Sequence, residues 1–420
     1  MVSVIDQALL SGLNFSVGIV LIRYASKETY GFYTLLAAAA ILSTTLIEAL
    51  IGAALTTTAT QLPPGERQDL VSRVARLQWV AAVMVATVFG VGSGFSANAF
   101  ALSESPYLIG ISFSFFVASL GVREYCRTAL FIESQTLAVT QLDAVYVALT
   151  MIAVGSLLAT SQPVTVSQIV SVFAAANLLS ALTQSTRLWR QSLGFDIKQY
   201  YIDAQTLWQL SQWAFVGAFV GWIGNNIYLY FAGSYLGIEA SAELNASRLM
   251  MIPVALLGVA WSRVARPTVG SMLANREWDK LDRFAWLSFL SLGGITVAFT
   301  SVLVLCLPWI ESSILGEKYK QAMHLVPMWG IYFLLNSVRT VGTTLLACFG
   351  AFKALFWQGM VSLCILVVSC AALMPLWGLT GALSAMIAVE VTELVVNMVY
   401  LLPRSKKALK LLSKQSATAQ

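Results

Sequence analysis

The sequence is poor in charge. Only 11% of its 420 residues are Asp, Glu, Lys or Arg, whereas soluble domains carry about 25%. Apolar residues make up 58% of the chain, and the mean hydropathy is +0.76. A water-soluble protein of this length could not cover its surface with so few charges. The composition therefore indicates a multi-pass membrane protein and excludes a nucleic-acid-binding protein, a secreted disulfide scaffold and most soluble enzymes.

Histidine and cysteine are also scarce. His324 is the only histidine, which excludes a zinc site with two histidine ligands, and no motif around it supports a Ser-His-Asp triad. The five cysteines lie in apolar stretches and none forms a C-x-x-C pair, so we expect them to pack as small apolar side chains. The sequence predicts no metal ion and no cofactor.

The N-terminus lacks the features of a cleavable signal peptide. It opens without a basic region, and no A-x-A site follows the first apolar run. That run begins close to Met1, so the sequence alone leaves open whether a short leader precedes it.

Twelve apolar runs are long enough to cross a bilayer, which takes about 20 residues. They cover residues 3–22, 31–55, 77–97, 106–128, 143–160, 165–186, 207–232, 240–262, 285–309, 322–347, 353–374 and 379–402. The longest connections, at 61–76, 187–206 and 263–284, are too short for a soluble catalytic domain. The sequence thus predicts an all-α polytopic membrane protein with about twelve transmembrane helices.

The basic residues predict the orientation. If the N-terminus is cytoplasmic, nineteen of the 25 Lys and Arg residues fall on the cytoplasmic side and four on the outer side. Cytoplasmic connections carry such an excess of basic residues. We therefore expect both termini in the cytoplasm, and a basic cytoplasmic tail at residues 403–420.

The chain shows a weak repeat at half its length. Glu28 after the first span and Glu239 after the seventh occupy similar positions, and Val122-Arg123 in the fourth span resembles Val338-Arg339 in the tenth. Six spans per half give both halves the same orientation. We expect two six-helix lobes, 1–186 and 207–402, joined by a cytoplasmic linker at 187–206. A pseudo-twofold axis along the membrane normal would relate the lobes, a geometry that permits alternating access.

Several short motifs resemble those of polysaccharide-unit flippases. They are Leu-Ser-Gly-Leu-Asn-Phe at 10–15, Tyr-Gly-Phe-Tyr at 30–33, Leu-Gly-Glu-Lys-Tyr-Lys-Gln-Ala at 315–322 and Pro-Leu-Trp-Gly-Leu-Thr-Gly-Ala at 375–382. Together with the span number and the half-repeat, they resemble the Wzx-type O-antigen flippases of the multidrug/oligosaccharidyl-lipid/polysaccharide (MOP) exporter superfamily. The resemblance implies transfer of an undecaprenyl-pyrophosphate-linked oligosaccharide from the inner to the outer leaflet of a bacterial inner (plasma) membrane. We expect this transfer to be coupled to a cation gradient. It also implies a polysaccharide polymerase and a chain-length regulator as partners.

Four arginines lie within or at the ends of predicted spans. Ionisable groups at this depth are costly and usually face a cavity or a charged partner. Arg339, Arg248, Arg123 and Arg127 are the candidates for a cationic cavity, because a guanidinium fork matches the oxygens of a pyrophosphate headgroup. An alternative for Arg339 is an ion pair with Glu48 or Glu390, and Arg123 and Arg127 could instead mark the cytoplasmic boundary.

Carboxylates in the spans are candidates for ion coupling. Glu48 lies deep in the second span, Glu390 lies in the twelfth, and Asp6 and Asn14 lie in the first. A buried carboxylate can carry a coupling proton, and its alternative role is an ion pair or a polar contact between helices.

Two other functions remain open at the level of sequence. A cation-coupled multidrug exporter of the same superfamily would favour carboxylates and aromatic side chains around its cavity. An integral-membrane polysaccharide polymerase is the alternative from another class, and many such enzymes carry a large extracytoplasmic loop. The short outer connections and the half-repeat favour a transporter over the polymerase.

Overall fold

The computed structural model describes residues 2–160, 163–190, 197–312 and 317–418, and no strand occurs in these ranges. The chain divides into two compact units, Met1–Trp222 and Ile223–Gln420. The first unit contains α1 (Val2–Tyr24), α2 (Lys27–Ile47), α3 (Ala53–Ala59), α4 (Pro64–Ala99), α5 (Pro106–Ile132), α6 (Thr136–Thr160), α7 (Val166–Arg190) and the start of α8 (Ile197–Leu236). A π-helical turn, Glu48–Gly52, joins α2 to α3.

The second unit begins inside α8. It continues with α9 (Ile238–Leu249), α10 (Ile252–Ala274), α11 (Trp278–Ile310), α12 (Lys320–Met323), α13 (Val326–Cys348), α14 (Phe352–Val395) and α15 (Leu402–Thr418). The boundary between the units thus falls within the predicted seventh span rather than in a loop. The predicted linker, 187–206, is helical at both ends, and residues 191–196 lie outside the described part of the chain.

The predicted all-α polytopic fold is confirmed. By length and composition, eight of the described helices can cross a membrane, or nine if the bent pair α9 and α10 is one span. The other predicted spans also coincide with helices. The first has a shorter apolar stretch, Leu9–Tyr24, and the eleventh and twelfth lie within one continuous stretch, Phe352–Leu411. The seventh is α8, where Trp, Tyr, Asn and Gln side chains lower the hydropathy.

Two of the predicted loops are largely helical. α4 begins at Pro64, well before the predicted start at residue 77, and residues 263–274 extend α10. Proline fits the first turn of a helix because that turn needs no N–H hydrogen bond. A helix of 36 residues is about 54 Å long, against about 30 Å of hydrocarbon. Hydropathy marks only the part of a helix in lipid, so it misses polar extensions.

The glycines of the motif at 375–382 explain the turn between the last two spans. Gly378 has φ +57° and ψ −134°, a conformation that interrupts α14 and that side chains with a Cβ rarely adopt. At Gly381, a Cβ would lie 2.3 Å from the carbonyl oxygen of Leu373. The motif therefore reverses the chain and lets the two helices approach at backbone distance.

One helix lies at the centre of each unit. α5 packs against α2, α4, α6 and α7, whereas α13 packs against α9, α10, α11 and α14. Gly90 on α4 lies against Gly110 on α5, since a Cβ at Gly90 would lie 2.8 Å from the Gly110 carbonyl oxygen. Such close approach is typical of glycine pairs in membrane helices. α5 and α13 correspond to the predicted fourth and tenth spans; α5 carries Arg123 and Arg127, and α13 carries Arg339.

Candidate functional site: charged side chains in the membrane-spanning helices

The first unit contains an ion-pair network around Arg127. Its three guanidinium nitrogens each face a carboxylate: Nη1 lies 2.9 Å from Glu124, Nη2 3.1 Å from Asp6, and Nε 2.8 Å from Asp143. α5 supplies Arg127 and Glu124, α1 supplies Asp6, and α6 supplies Asp143. Three helices are thus joined through one guanidinium, each of whose nitrogens faces a carboxylate.

Arg123 lies one turn before Arg127 and belongs to the same network. Its Nη2 donates to Glu124 at 2.8 Å, and its Nη1 lies 3.9 Å from Asp143. The guanidinium carbon lies 3.9 Å from the centre of the Tyr146 ring, within the range of a cation–π contact. Arg123 is therefore buried among a phenol ring and two carboxylates.

Asp143, like Glu124, is a member of this network that the sequence did not reveal. Its side chain is 0% exposed, and an uncompensated buried carboxylate is strongly disfavoured. Asp143 is the first residue of the predicted fifth span, a position typical of a charged residue at the membrane boundary. Asp143 becomes informative only once α5 places Arg127 beside it.

Glu48 and Asn14, both predicted for ion coupling, are exposed. Glu48 begins the π-helical turn between α2 and α3, and its carboxylate folds over Gly52, where a Cβ would lie 2.1 Å from Oε2. π-helical turns inside α-helices often occur at functional sites. Asn14 lies two turns after Asp6 on α1.

The second unit has its own ion-pair network on α13. Arg339 binds Glu390 through a two-pronged contact, with Nε–Oε2 2.5 Å and Nη2–Oε1 3.1 Å, and its Nη1 lies 2.9 Å from Glu393. Asn336 donates a further hydrogen bond to Glu390 at 3.0 Å. Of the two ion-pair partners that the sequence offered as the alternative to cavity lining, Glu48 and Glu390, the structure pairs Arg339 with Glu390.

Arg248 has a different environment. It lies in the last turn of α9, where the bent pair α9 and α10 changes direction by 58°. Its Nη1 donates to the hydroxyl of Tyr228 at 3.0 Å, and its guanidinium lies about 6 Å from the rings of Tyr228 and Trp329. Within the described part of the chain, all these partners are neutral.

Hydrogen-bond capacity separates the four arginines. A guanidinium has five N–H donors. Arg127 and Arg339 direct every nitrogen at a carboxylate, and Arg123 is buried between Glu124 and Asp143. Arg248 is half-buried, and its hydrogen bond to another described side chain goes to a phenol. Of the four predicted cavity arginines, Arg248 is the one without a carboxylate partner among the described residues, so no anionic side chain there competes with a bound anion for its remaining donors.

The aromatic side chains near Arg248 are buried. Tyr228 and Trp329 are 0% exposed and Tyr332 is 7% exposed, and the Trp329 and Tyr332 rings meet edge to face at 5.4 Å. Aromatic side chains in a transporter can stack on sugar rings or pack between helices. Their burial favours helix packing, so these rings form a packed aromatic surface next to Arg248.

Comparisons with known proteins identify the fold. No protein-family model and no curated protein matches the chain. Among solved structures, the lipid II flippase MurJ in an inward closed conformation has a TM-score of 0.72 and 11% identity, covering 98% of this chain and 92% of MurJ. An inward-facing multidrug resistance MATE transporter of the MOP superfamily has a TM-score of 0.69 and 11% identity, covering 95% and 94%.

A third structure is a MOP superfamily transporter from Pyrococcus furiosus with reversed polarity of its binding pocket. Its TM-score is 0.62 at 12% identity, covering 98% of this chain and 94% of the transporter. These identities are low, but the matches span nearly the whole of each chain. The chain is therefore a multi-pass membrane protein with the fold of the MOP-superfamily transporters. The Wzx-type branch suggested by the short motifs remains a prediction.

Proposed function

We propose that the chain is a flippase for an undecaprenyl-pyrophosphate-linked oligosaccharide, an O-antigen or other polysaccharide repeat unit. It is a transporter rather than an enzyme, and it moves its cargo from the inner to the outer leaflet of a bacterial inner membrane by alternating access. The nineteen-to-four distribution of basic residues supports cytoplasmic termini. A flippase of lipid II shares the fold, which makes a lipid-linked cargo consistent with this architecture.

The observation that carries the proposal is the environment of Arg248. A cation within the membrane-spanning region is costly unless an opposite charge compensates it, and the described partners of Arg248 are a phenol and an indole ring. An anionic phosphate would supply the missing charge and accept hydrogen bonds from the remaining N–H groups. Broken membrane helices such as the pair α9 and α10 commonly line transport sites.

The other arginines suit a different role in the same cycle. Arg127 shares its guanidinium among Asp6, Glu124 and Asp143, and Arg339 is shared by Glu390 and Glu393. Each network holds one more carboxylate than arginine, so binding of a cation or proton would balance its charge. We assign the coupling role to these networks and to exposed Glu48. Direct cargo binding by Arg339, Arg123 and Arg127 remains a prediction.

A multidrug exporter is the alternative, because a MATE transporter shares the fold and Glu48 presents an exposed carboxylate. Deletion of the gene in its host distinguishes the two functions. The flippase predicts loss of surface polysaccharide and accumulation of the lipid-linked repeat unit in the membrane. Sensitivity to cationic dyes with an intact surface polysaccharide would instead establish drug export.

An Arg248→Gln variant tests the site itself. It should lose polysaccharide export while its amount in the membrane stays normal, because the substitution strands no carboxylate. Lys318→Gln, a change of the same charge in the outer connection, is the control and should export normally. Normal export by Arg248→Gln would exclude Arg248 from cargo binding. Association with a polymerase and a chain-length regulator stays an expectation from the family resemblance.

A further inference from the structure

We propose that Tyr228 and Trp329 are positioning residues, which hold Arg248 in the orientation that binds a phosphate group. The inference rests on the proposed function and adds two residues to it, neither of which would touch the cargo. Three helices contribute: α8 supplies Tyr228, α9 supplies Arg248, and α13 supplies Trp329.

The first contact fixes the guanidinium. The Tyr228 hydroxyl accepts a hydrogen bond from Arg248 Nη1 at 3.0 Å, and the phenol is fully buried. An arginine side chain has several rotatable bonds, and ordering such a chain when a ligand arrives costs binding free energy. The hydrogen bond to Tyr228 uses one N–H group of Arg248 and orders the guanidinium before a ligand arrives. The remaining N–H groups therefore stay available and point in a fixed direction.

The second contact fixes the helix that carries Arg248. The indole N–H of Trp329 donates to the hydroxyl of Ser247 at 3.0 Å, and both residues are 0% exposed. Ser247 in turn donates to the backbone carbonyls of Glu243 and Leu244, one turn earlier on α9. This chain of hydrogen bonds ties the end of a twelve-residue helix to α13.

The two contacts act beside the break between α9 and α10. α9 ends at Leu249 and α10 begins at Ile252, and Met251 lies between them with φ −97° and ψ 1°. Backbone hydrogen bonds do not continue regularly across such a break, so the end of α9 needs tertiary contacts to keep its place. Ser241 adds one near the start of α9, donating to the Leu229 carbonyl at 2.8 Å. The phenol, indole and serine groups make these tertiary contacts without adding a carboxylate that would compete with a phosphate for the guanidinium.

The test measures binding of farnesyl pyrophosphate, a short polyprenyl pyrophosphate, to the purified full chain in detergent. Isothermal titration compares it with farnesol, which shares the apolar chain but has no charge. We expect Tyr228→Phe to weaken pyrophosphate binding about tenfold, the effect typical of one hydrogen bond to a charged group. Farnesol binding and the melting temperature should change little. Trp329→Phe should act in the same direction, because it removes the donor to Ser247 and keeps an aromatic ring.

Tyr235→Phe is the matched control. Tyr235 lies on the same helix, is 53% exposed and stacks on Phe231, so we expect no change in either titration. Unchanged pyrophosphate binding in Tyr228→Phe, together with its loss in Arg248→Gln, would overturn the positioning role and leave the proposed function standing. Equal loss of pyrophosphate and farnesol binding would also overturn it, since that indicates general damage. If Arg248→Gln binds pyrophosphate like the wild type, the proposed function itself fails.

Discussion

Replacement of Arg339 by methionine tests whether the second unit depends on its ion-pair network. Glu390 is 6% exposed and Glu393 is 14% exposed on their side chains, and both face the Arg339 guanidinium. Removing one partner of a buried ion pair typically costs about 3–5 kcal/mol, because the remaining charge is left uncompensated. Here two carboxylates lose their cation, so we expect a destabilisation in the upper part of that range.

A triple variant separates lost charge balance from lost packing. Arg339→Met combined with Glu390→Gln and Glu393→Gln removes the stranded charges, and we expect it to recover all but about 1–2 kcal/mol, the cost of imperfectly bonded buried polar groups. The assay is reversible denaturant unfolding of the purified protein in detergent, followed by tryptophan fluorescence. Arg248→Met is the control and should cost less, since its partners are neutral. A triple variant as unstable as Arg339→Met would refute the reasoning.

Three further predictions concern particular side chains. Gly381→Ala should cost more than about 2 kcal/mol and lower the melting temperature, because its Cβ would lie 2.3 Å from the Leu373 carbonyl oxygen. Gly52→Ala should change transport more than stability, since it displaces the flexible carboxylate of Glu48; transport at several values of pH, in proteoliposomes, measures this. Asp143→Asn should uncouple cargo transport from an imposed cation gradient, because it removes a carboxylate that lies 2.8 Å from the Arg127 guanidinium.

Matched variants serve as controls for these three. A Cβ at Gly155 would meet no atom within 4 Å, so Gly155→Ala should leave the melting temperature unchanged. If Gly381→Ala lowers the melting temperature no more than Gly155→Ala does, the close-approach argument is contradicted. Asp203→Asn removes a carboxylate paired with Arg73 outside the predicted spans and should leave coupling intact. Gradient-dependent transport by Asp143→Asn at the wild-type rate would remove Asp143 from the coupling network. If transport by Gly52→Ala has the same pH dependence as transport by the wild type, Glu48 is removed from the coupling role as well.

The sequence predicts the membrane fold well because lipid imposes strong constraints. Apolar runs of about 20 residues and the asymmetry of basic residues follow directly from the bilayer, and the predicted spans coincide with helices. The helix extensions were missed, because residues 64–76 are too polar for the hydropathy pattern to mark them as part of a span. The turn at Gly378 could be predicted, because proline and glycine act through local backbone geometry.

The candidate site could be predicted only in part. Arg339, Arg248, Arg123 and Arg127 are equally noticeable in the sequence, since each is a charge in or beside an apolar run. What separates them is the set of partners brought by other helices, such as Asp143 from α6 or Tyr228 from α8. Those contacts span up to 121 positions along the chain, and no local pattern encodes them.

The most direct test of the central claim is transport by an Arg248 variant in a defined system. The purified chain is reconstituted into vesicles that contain a pyrophosphate-linked lipid oligosaccharide, and an impermeant lectin measures the fraction of glycan that crosses the bilayer. We expect Arg248→Gln to reduce the rate to that of empty vesicles and Arg248→Lys to retain part of it, because lysine keeps the charge but loses the fork. A wild-type rate in Arg248→Gln would contradict the account.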